Sequence, residues 1–177
     1  MIGVLVSGEG TNLQALIDAG LPIRAVASNK PDVPALTRAR VAAIPAAVFD
    51  LADHADREAR DLAMAAWLEE RGARFVVLAG YMHLLMPVFL ERFPGRVVNV
   101  HPSLLPSFPG THPIEDAVAA GVETTGVTVH LVDEGVDSGP VLRQEPVPLE
   151  PKETLIERIH AVEHRLLPEV VRELCAR

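Results

Sequence analysis

The feature that most restricts the fold is a repeated alternation of short apolar runs with segments of helical spacing. "IGVLVS" (2–7), "PIRAVAS" (22–28), "AAVFD" (46–50), "RFVVLAG" (74–80) and "RVVNVH" (96–101) read as buried strands. Between them lie "TNLQALIDAG" (11–20), "DVPALTRARVAA" (32–43), "ADREARDLAMAAWLEERG" (55–72) and "LMPVFLERFPG" (85–95), which read as helices. Such alternation predicts a parallel sheet with right-handed crossovers. A short helix, "PIEDAVAAG" (113–121), then precedes "TGVTVHLVD" (125–133) and "GPVLRQEPVPL" (139–149), which predict an antiparallel pair on the sheet's edge. "KETLIERIHAVEHRLLPEVVRELC" (152–175) reads as a closing helix, bent at Pro168. No repeat or linker interrupts the pattern, and 177 residues with 49% hydrophobic content suit a single domain over 1–177.

Charge narrows the partners. Sixteen basic residues against 24 acidic give a net charge of −8, which lacks the electrostatic footprint of a nucleic-acid binder. An anionic small ligand stays compatible, because it needs only a few local donors. No apolar run reaches the length of a membrane span, and "MIGVLVSGEG" has no basic leader, so neither membrane nor secretion is expected. The one cysteine, Cys175, rules out a disulfide framework and fits a reducing cytoplasm. The seven histidines (54, 83, 101, 112, 130, 160, 164) form no H-E-x-x-H pattern, and no metal is expected.

In open parallel sheets ligands bind at the carboxyl ends of the strands, and three chemically loaded segments fall there. In "SGEGTN" (7–12), Gly8 and Gly10 allow a tight turn before Thr11 and Asn12 open a helix. Leu13 occupies the place of the third glycine of G-x-G-x-x-G, so a single phosphate fits better than a dinucleotide. The same residues also read as a plain strand–helix turn with Thr11 as its cap. In "VVNVHPSLLPSFPG" (97–110), alternation points Asn99 and His101 to one side, and three prolines stiffen the loop beyond His101. A buried amide and imidazole need partners, and a stiff loop suits groups held to sub-ångström tolerance. The alternative is a satisfied core histidine before an ordinary connection. In "HLVDEGVDSGP" (130–140), Asp133, Glu134 or Asp137 could orient His101, or the loop is simply an acidic turn. His130, on the strand feeding it, reads as a half-buried strand histidine. Glu163 lies near the middle of the last helix's apolar face and needs a cationic partner, either an arginine or a ligand amine.

Taken together, "VLVSGEGTNLQALIDA", "VASNKPD", "FVVLAGYMHLL", "VVNVHPSLLPSFPGTHPIEDA", "GVTVHLVDEGVDSGPVLRQ" and "AVEHRLLPEVV" resemble, in order and over nearly the whole chain, the folate-dependent formyltransferase family. "SGEGTN" resembles its glycinamide ribonucleotide branch in particular. The resemblance implies an α/β fold with a Rossmann-like, mostly parallel twisted sheet. It implies a cytoplasmic transferase of purine biosynthesis, moving a formyl group from the co-substrate 10-formyltetrahydrofolate to the amine of glycinamide ribonucleotide. The implied catalytic trio is Asn99, His101 and Asp137. Gly10, Thr11, Asn12 and Glu163 are implied to meet the ribonucleotide, and Arg57, Met82, His83, Leu84, Leu85, Asp133, Glu134, Gly135 and Val136 the folate. The Leu105–Pro106 bond is implied to be cis.

Two positions depart from the family's usual pattern: His83 stands where arginine is common, and Ser107 where a basic residue is common. Contacts to the folate tail and the phosphate are therefore expected to differ. The chain also ends at Arg177, short of the tail many members carry, and a monomer or weak homodimer is expected. A tRNA-directed formyltransferase would need a further domain and a less acidic surface. A formyltetrahydrofolate hydrolase usually has an N-terminal regulatory domain, whereas "IGVLVS" starts at residue 2. A non-catalytic folate or nucleotide-binding module would not need the trio.

Overall fold

The computed structural model describes Met1–Ala176; Arg177, the last residue of the expected domain, lies outside the described residues. Seven strands form one sheet in the order β3-β2-β1-β4-β5-β6-β7. They are β1 (Ile2–Val6), β2 (Ile23–Ser28), β3 (Ala46–Val48), β4 (Phe75–Leu78), β5 (Val97–His101), β6 (Thr124–Leu131) and β7 (Val141–Pro148). β1 to β5 pair in parallel, and β6 and β7 are added antiparallel. The chain winds outward from β1 to β3 and then returns to place β4 on β1's other side. That reversal creates the crevice in which doubly wound sheets bind ligands.

The apolar alternation sorts the core into two layers. Ile2, Val4 and Val6 of β1 pack with α1 (Thr11–Asp18), α2 (Pro34–Val41), α5 (Pro113–Ala120) and α6 (Leu155–Cys175). Leu5 faces the other way, with Met64, Ala65 and Leu68 of α3 (Arg57–Glu70) and Phe89 of α4 (Pro87–Leu90). All five β1 residues are buried, as a strand covered on both faces requires.

Three elements differ from the sequence reading. The helix expected over 85–95 shrinks to the single turn Pro87–Leu90. A residue before proline is pushed out of the helical region, and Met86 is extended at φ −73°, ψ 153°. The last helix starts at Leu155, after a 3-10 turn over Lys152–Thr154, and runs unbroken across Pro168 to Cys175. A further 3-10 turn, Leu51–Asp53, was not legible. The Leu105–Pro106 bond is cis, as is Glu150–Pro151. Among the described residues no helix is long and apolar enough to cross a membrane.

The turn from β1 into α1 hinges on Gly10, which sits at φ 73°. A Cβ there would lie 2.6 Å from Ala35 Cβ and 2.8 Å from Ala35 Cα on α2. Backbone strain and overlap therefore act together. Gly10→Ala is expected to cost about 2–4 kcal/mol, read as a lowered urea midpoint at unchanged slope.

Candidate active site

β5 carries Asn99 and His101 on alternate positions, and the antiparallel pairing sets His130 opposite Asn99 and Thr128 opposite His101. The β6–β7 connection then folds back over the carboxyl end of β5 and delivers Asp137, held at φ 50°. The carboxylate of Asp137 is the centre of the cluster. Its Oδ2 accepts the Gly110 N–H at 2.9 Å and lies 3.4 Å from His101 Nδ1. Its Oδ1 lies 3.4 Å from Asn99 Nδ2 and 3.5 Å from His130 Nε2. Burial pushes the Asp137 carboxyl up, but the hydrogen bond from His130, the Gly110 N–H and the charge of His101 outweigh it and hold it below its ordinary value.

Hydrogen bonds to carbonyls, which only accept, fix both imidazoles. His101 Nε2–H donates to Phe108 O at 2.8 Å, leaving Nδ1 to face Asp137. His130 Nδ1–H donates to Leu131 O at 2.9 Å; in the neutral ring Nε2 accepts from Asn99 Nδ2 at 3.2 Å, and in the protonated ring Nε2–H turns to Asp137 Oδ1 at 3.5 Å. Both bonds from Asn99 are long for an N–H donor.

The proline-rich loop is stapled to the sheet. Thr128 Oγ1 donates to Ser103 O at 2.7 Å and accepts from Leu105 N at 3.1 Å and Gln144 Nε2 at 2.9 Å. Gln144 also donates to Leu105 O at 2.7 Å, and Ser103 Oγ to Ser107 O at 2.6 Å. His101, Thr128 and Gln144 thus form one cross-strand row whose outer members carry the loop that supplies Phe108 O to the first.

Asn99, His101 and Asp137 line a cavity of about 340 Å³. Met82, His83, Leu84 and Leu85 form one wall and Asp133, Glu134, Gly135 and Val136 another, so these expected residues lie together with the trio. Arg57 braces the first wall from behind, its Nη2 donating to Leu84 O at 2.7 Å. His83 is held between Arg60 Nη1, 2.7 Å from Nδ1, and the Asn29 amide, 3.2 Å from Nε2. Burial, then Arg60, Arg57 and Lys30, lower its pKa. Ser107 is exposed on the loop.

The remaining expected residues form a second locus. Thr11 does not cap α1: Gly10 is the N-cap, no side chain caps the helix, and Thr11 is its first residue. The leading N–H groups therefore stay open to a ligand. Thr11 lines a groove of about 610 Å³ with Arg38, His164, Arg165 and Arg172. Among the described residues Glu163 has no arginine partner; its Oε2 accepts from Asn12 Nδ2 at 3.2 Å. Among the described residues Asn12 Oδ1 and His164 Nε2 are buried without a partner, so this locus has unspent hydrogen-bonding capacity. Among the described residues no three His, Cys, Asp or Glu side chains gather as a metal-ligand set.

Sequence reasoning missed His130 as a member of the cluster. Its place opposite Asn99 comes from the β5–β6 register, which no turn between those strands fixes, since α5 lies between them.

The model of the Formyl transferase family matches residues 1–171. This chain belongs to the formyl transferase family. The family's curated phosphoribosylglycinamide formyltransferase of Mycobacterium tuberculosis is 47% identical over 178 residues, covering 97% of this chain and 83% of that protein. Among solved structures of the family, glycinamide ribonucleotide transformylase 1 of Symbiobacterium toebii superposes with a TM-score of 0.93 at 45% identity, covering 97% of this chain and 85% of that one. The phosphoribosylglycinamide formyltransferase of Bacillus halodurans gives 0.95 at 41%, covering 99% and 95%.

Glu163, 6% exposed, has its pKa raised from 4.5 to about 7, by burial against the smaller opposing effect of the Asn12 bond. A raised carboxyl leaves folding unaffected below its unfolded value and costs stability as pH rises through about 7. Glu163→Gln is therefore expected to be more stable than wild type at pH 8, by about 1–3 kcal/mol, with the gap closing toward pH 4.5. Melting curves across that range check it.

Proposed function

We propose that the chain is a phosphoribosylglycinamide formyltransferase: one cytoplasmic domain over 1–177 that moves a formyl group from 10-formyltetrahydrofolate to the amine of glycinamide ribonucleotide in purine biosynthesis. The observation that carries this reading is the convergence of Asn99, His101 and Asp137 on one largely apolar cavity, in a fold that also has an open helix N-terminus at Thr11. A cavity of this size and lining suits part of a flat aromatic co-substrate. Family membership and the names of its relatives point the same way. Small molecules are its partners, and neither nucleic acid nor membrane has a role.

In this reading the folate ring enters between Met82–Leu85 and Asp133–Val136. The ribonucleotide phosphate rests on the N–H groups at Gly10–Asn12, with Glu163 close to its polar groups. The neutral amine attacks the formyl carbon, and the carbonyl electron pair moves onto oxygen. Asn99 turns one N–H from its long bonds with Asp137 and His130 to that oxygen. His101, protonated and paired with Asp137, supplies positive charge beside it. Donors of this kind are worth about 3–4 kcal/mol each. Asp137 stays ionised and holds a water that takes the proton from the new ammonium and passes it to the folate nitrogen. The carbon–nitrogen bond to folate then breaks, and tetrahydrofolate leaves.

The test is tetrahydrofolate release from 10-formyltetrahydrofolate with and without glycinamide ribonucleotide. Release that requires the nucleotide is expected. Asn99→Ala is expected to lower kcat by about 10²–10³-fold, and Asp137→Asn at least as much. Release without the nucleotide would make the protein a hydrolase. Binding of both ligands with no turnover would make it a binding module.

A further inference from the structure

We propose that Arg60 is a positioning residue: its buried guanidinium fixes the tautomer and orientation of His83 and, with Asp61, sets the Met82–Met86 wall of the cavity. The proposal rests on reading that wall as the seat of the formyl donor.

The wall has no helix or strand of its own over residues 82–86. Its shape is set by groups reaching in from other elements. Met82 N donates to Ser7 Oγ at 2.9 Å, and Met86 N donates to Asp61 Oδ2 at 2.8 Å. Arg57 takes Leu84 O, and Arg60 takes the His83 ring. Three of these anchors, Arg57, Arg60 and Asp61, come from the first turn of α3, at positions i, i+3 and i+4 of one helix face.

Arg60 and Asp61 are both 0% exposed. Arg60 Nε and Nη2 both donate to Asp61 Oδ1, at 2.9 and 2.7 Å. The other carboxylate oxygen is free for Met86, and the remaining guanidinium nitrogen for His83. An ion pair this deeply buried gives little net stability over an apolar pair of similar volume. What it provides is geometry, since a planar fork with five donors leaves no rotational freedom once three are spent.

The bond to His83 also settles a proton. A guanidinium only donates, so His83 Nδ1 must accept, and the ring hydrogen sits on Nε2. The structure sets Asn29 Nδ2 3.2 Å from Nε2, with Asn29 Oδ1 accepting from Ser7 Oγ at 2.6 Å; an Nε2–H requires the reversed amide, with its oxygen toward the ring. The result is one connected path, Asp61–Arg60–His83–Asn29–Ser7, half-buried at His83, that leaves the wall at Met86 and re-enters it at Met82. Arg60, Arg57 and Lys30 around the ring oppose its protonation, and Asp61 favours it. Residue 83 thus shows the cavity a neutral ring, with its cation held behind it.

The test uses Arg60→Met/Asp61→Asn, which removes both charges together and keeps an acceptor for Met86 N–H. Steady-state kinetics on both substrates and side-chain 15N NMR of His83, assigned with His83→Gln, are compared with wild type. The variant is expected to raise the KM for 10-formyltetrahydrofolate about tenfold, with kcat and the ribonucleotide KM within about twofold. Wild-type His83 is expected to show a bare Nδ1 and a protonated Nε2 at pH 7, and the variant a mixture. An unchanged folate KM, an equal loss in all three kinetic constants, or a protonated Nδ1 in wild type would overturn the proposal. A wild type that does not turn over would sink the functional reading instead, and the His83 tautomer alone would then decide the Arg60 contact.

Discussion

The carboxylate of Asp137 is where four separate segments of the chain are tied together. It receives Gly110 from the proline-rich loop, faces His101 and Asn99 on β5, and lies beside His130 on β6. Each contact is modest in length, and their sum holds the acid ionised despite burial. A charge in this position makes the neighbouring polar residues tolerable. Without it the two imidazoles and the amide would be polar groups inside an apolar sheet with part of their hydrogen-bonding capacity unmet. The cluster is therefore a structural necessity as well as a chemical opportunity, and both depend on the backbone at residue 137 adopting a positive φ.

A second tie, the Arg60–Asp61 pair, does for the Met82–Met86 wall what Asp137 does for Asn99, His101 and His130. In both places a buried charge organises segments that lack regular structure. The arrangement mirrors the sheet: β5, β6 and the β6–β7 connection carry the Asn99, His101, His130 and Asp137 cluster, and the ends of β1, β2 and β4 lead into the wall. The two meet across the cavity of about 340 Å³.

Much of this was legible in the amino-acid sequence because it rests on periodicity. β1 and β4 are short apolar runs between turn signals, and a chain that alternates them with helices has few topologies open to it. Asn99 and His101 were legible because two polar residues at period two on an apolar strand are costly. Residues whose role depends on tertiary partners were not. Arg60 and Asp61 look like solvated charges in a run of others, and only the packing of α3 against residues 83 and 86 shows them buried. The helix over 85–95 failed for a local reason, the extended Met86 before Pro87. Glu163 was legible as anomalous on its helix face; of the two partners expected, an arginine or a ligand amine, the described residues supply no arginine, and the side chain accepts from an amide 151 residues earlier.

That last separation bears on how the protein comes into being. Asn12 leaves the ribosome early, and Glu163 appears only with the final helix. α6 also meets the first part of the chain elsewhere, through Arg172 donating to Ala19 O at 3.0 Å. Contacts this distant in sequence are slow to close, because much of the loop entropy must be lost before they form. During synthesis the α1 end of the crevice therefore lacks its carboxylate until α6 emerges. The docking of α6 is the step that joins the two ends of the chain.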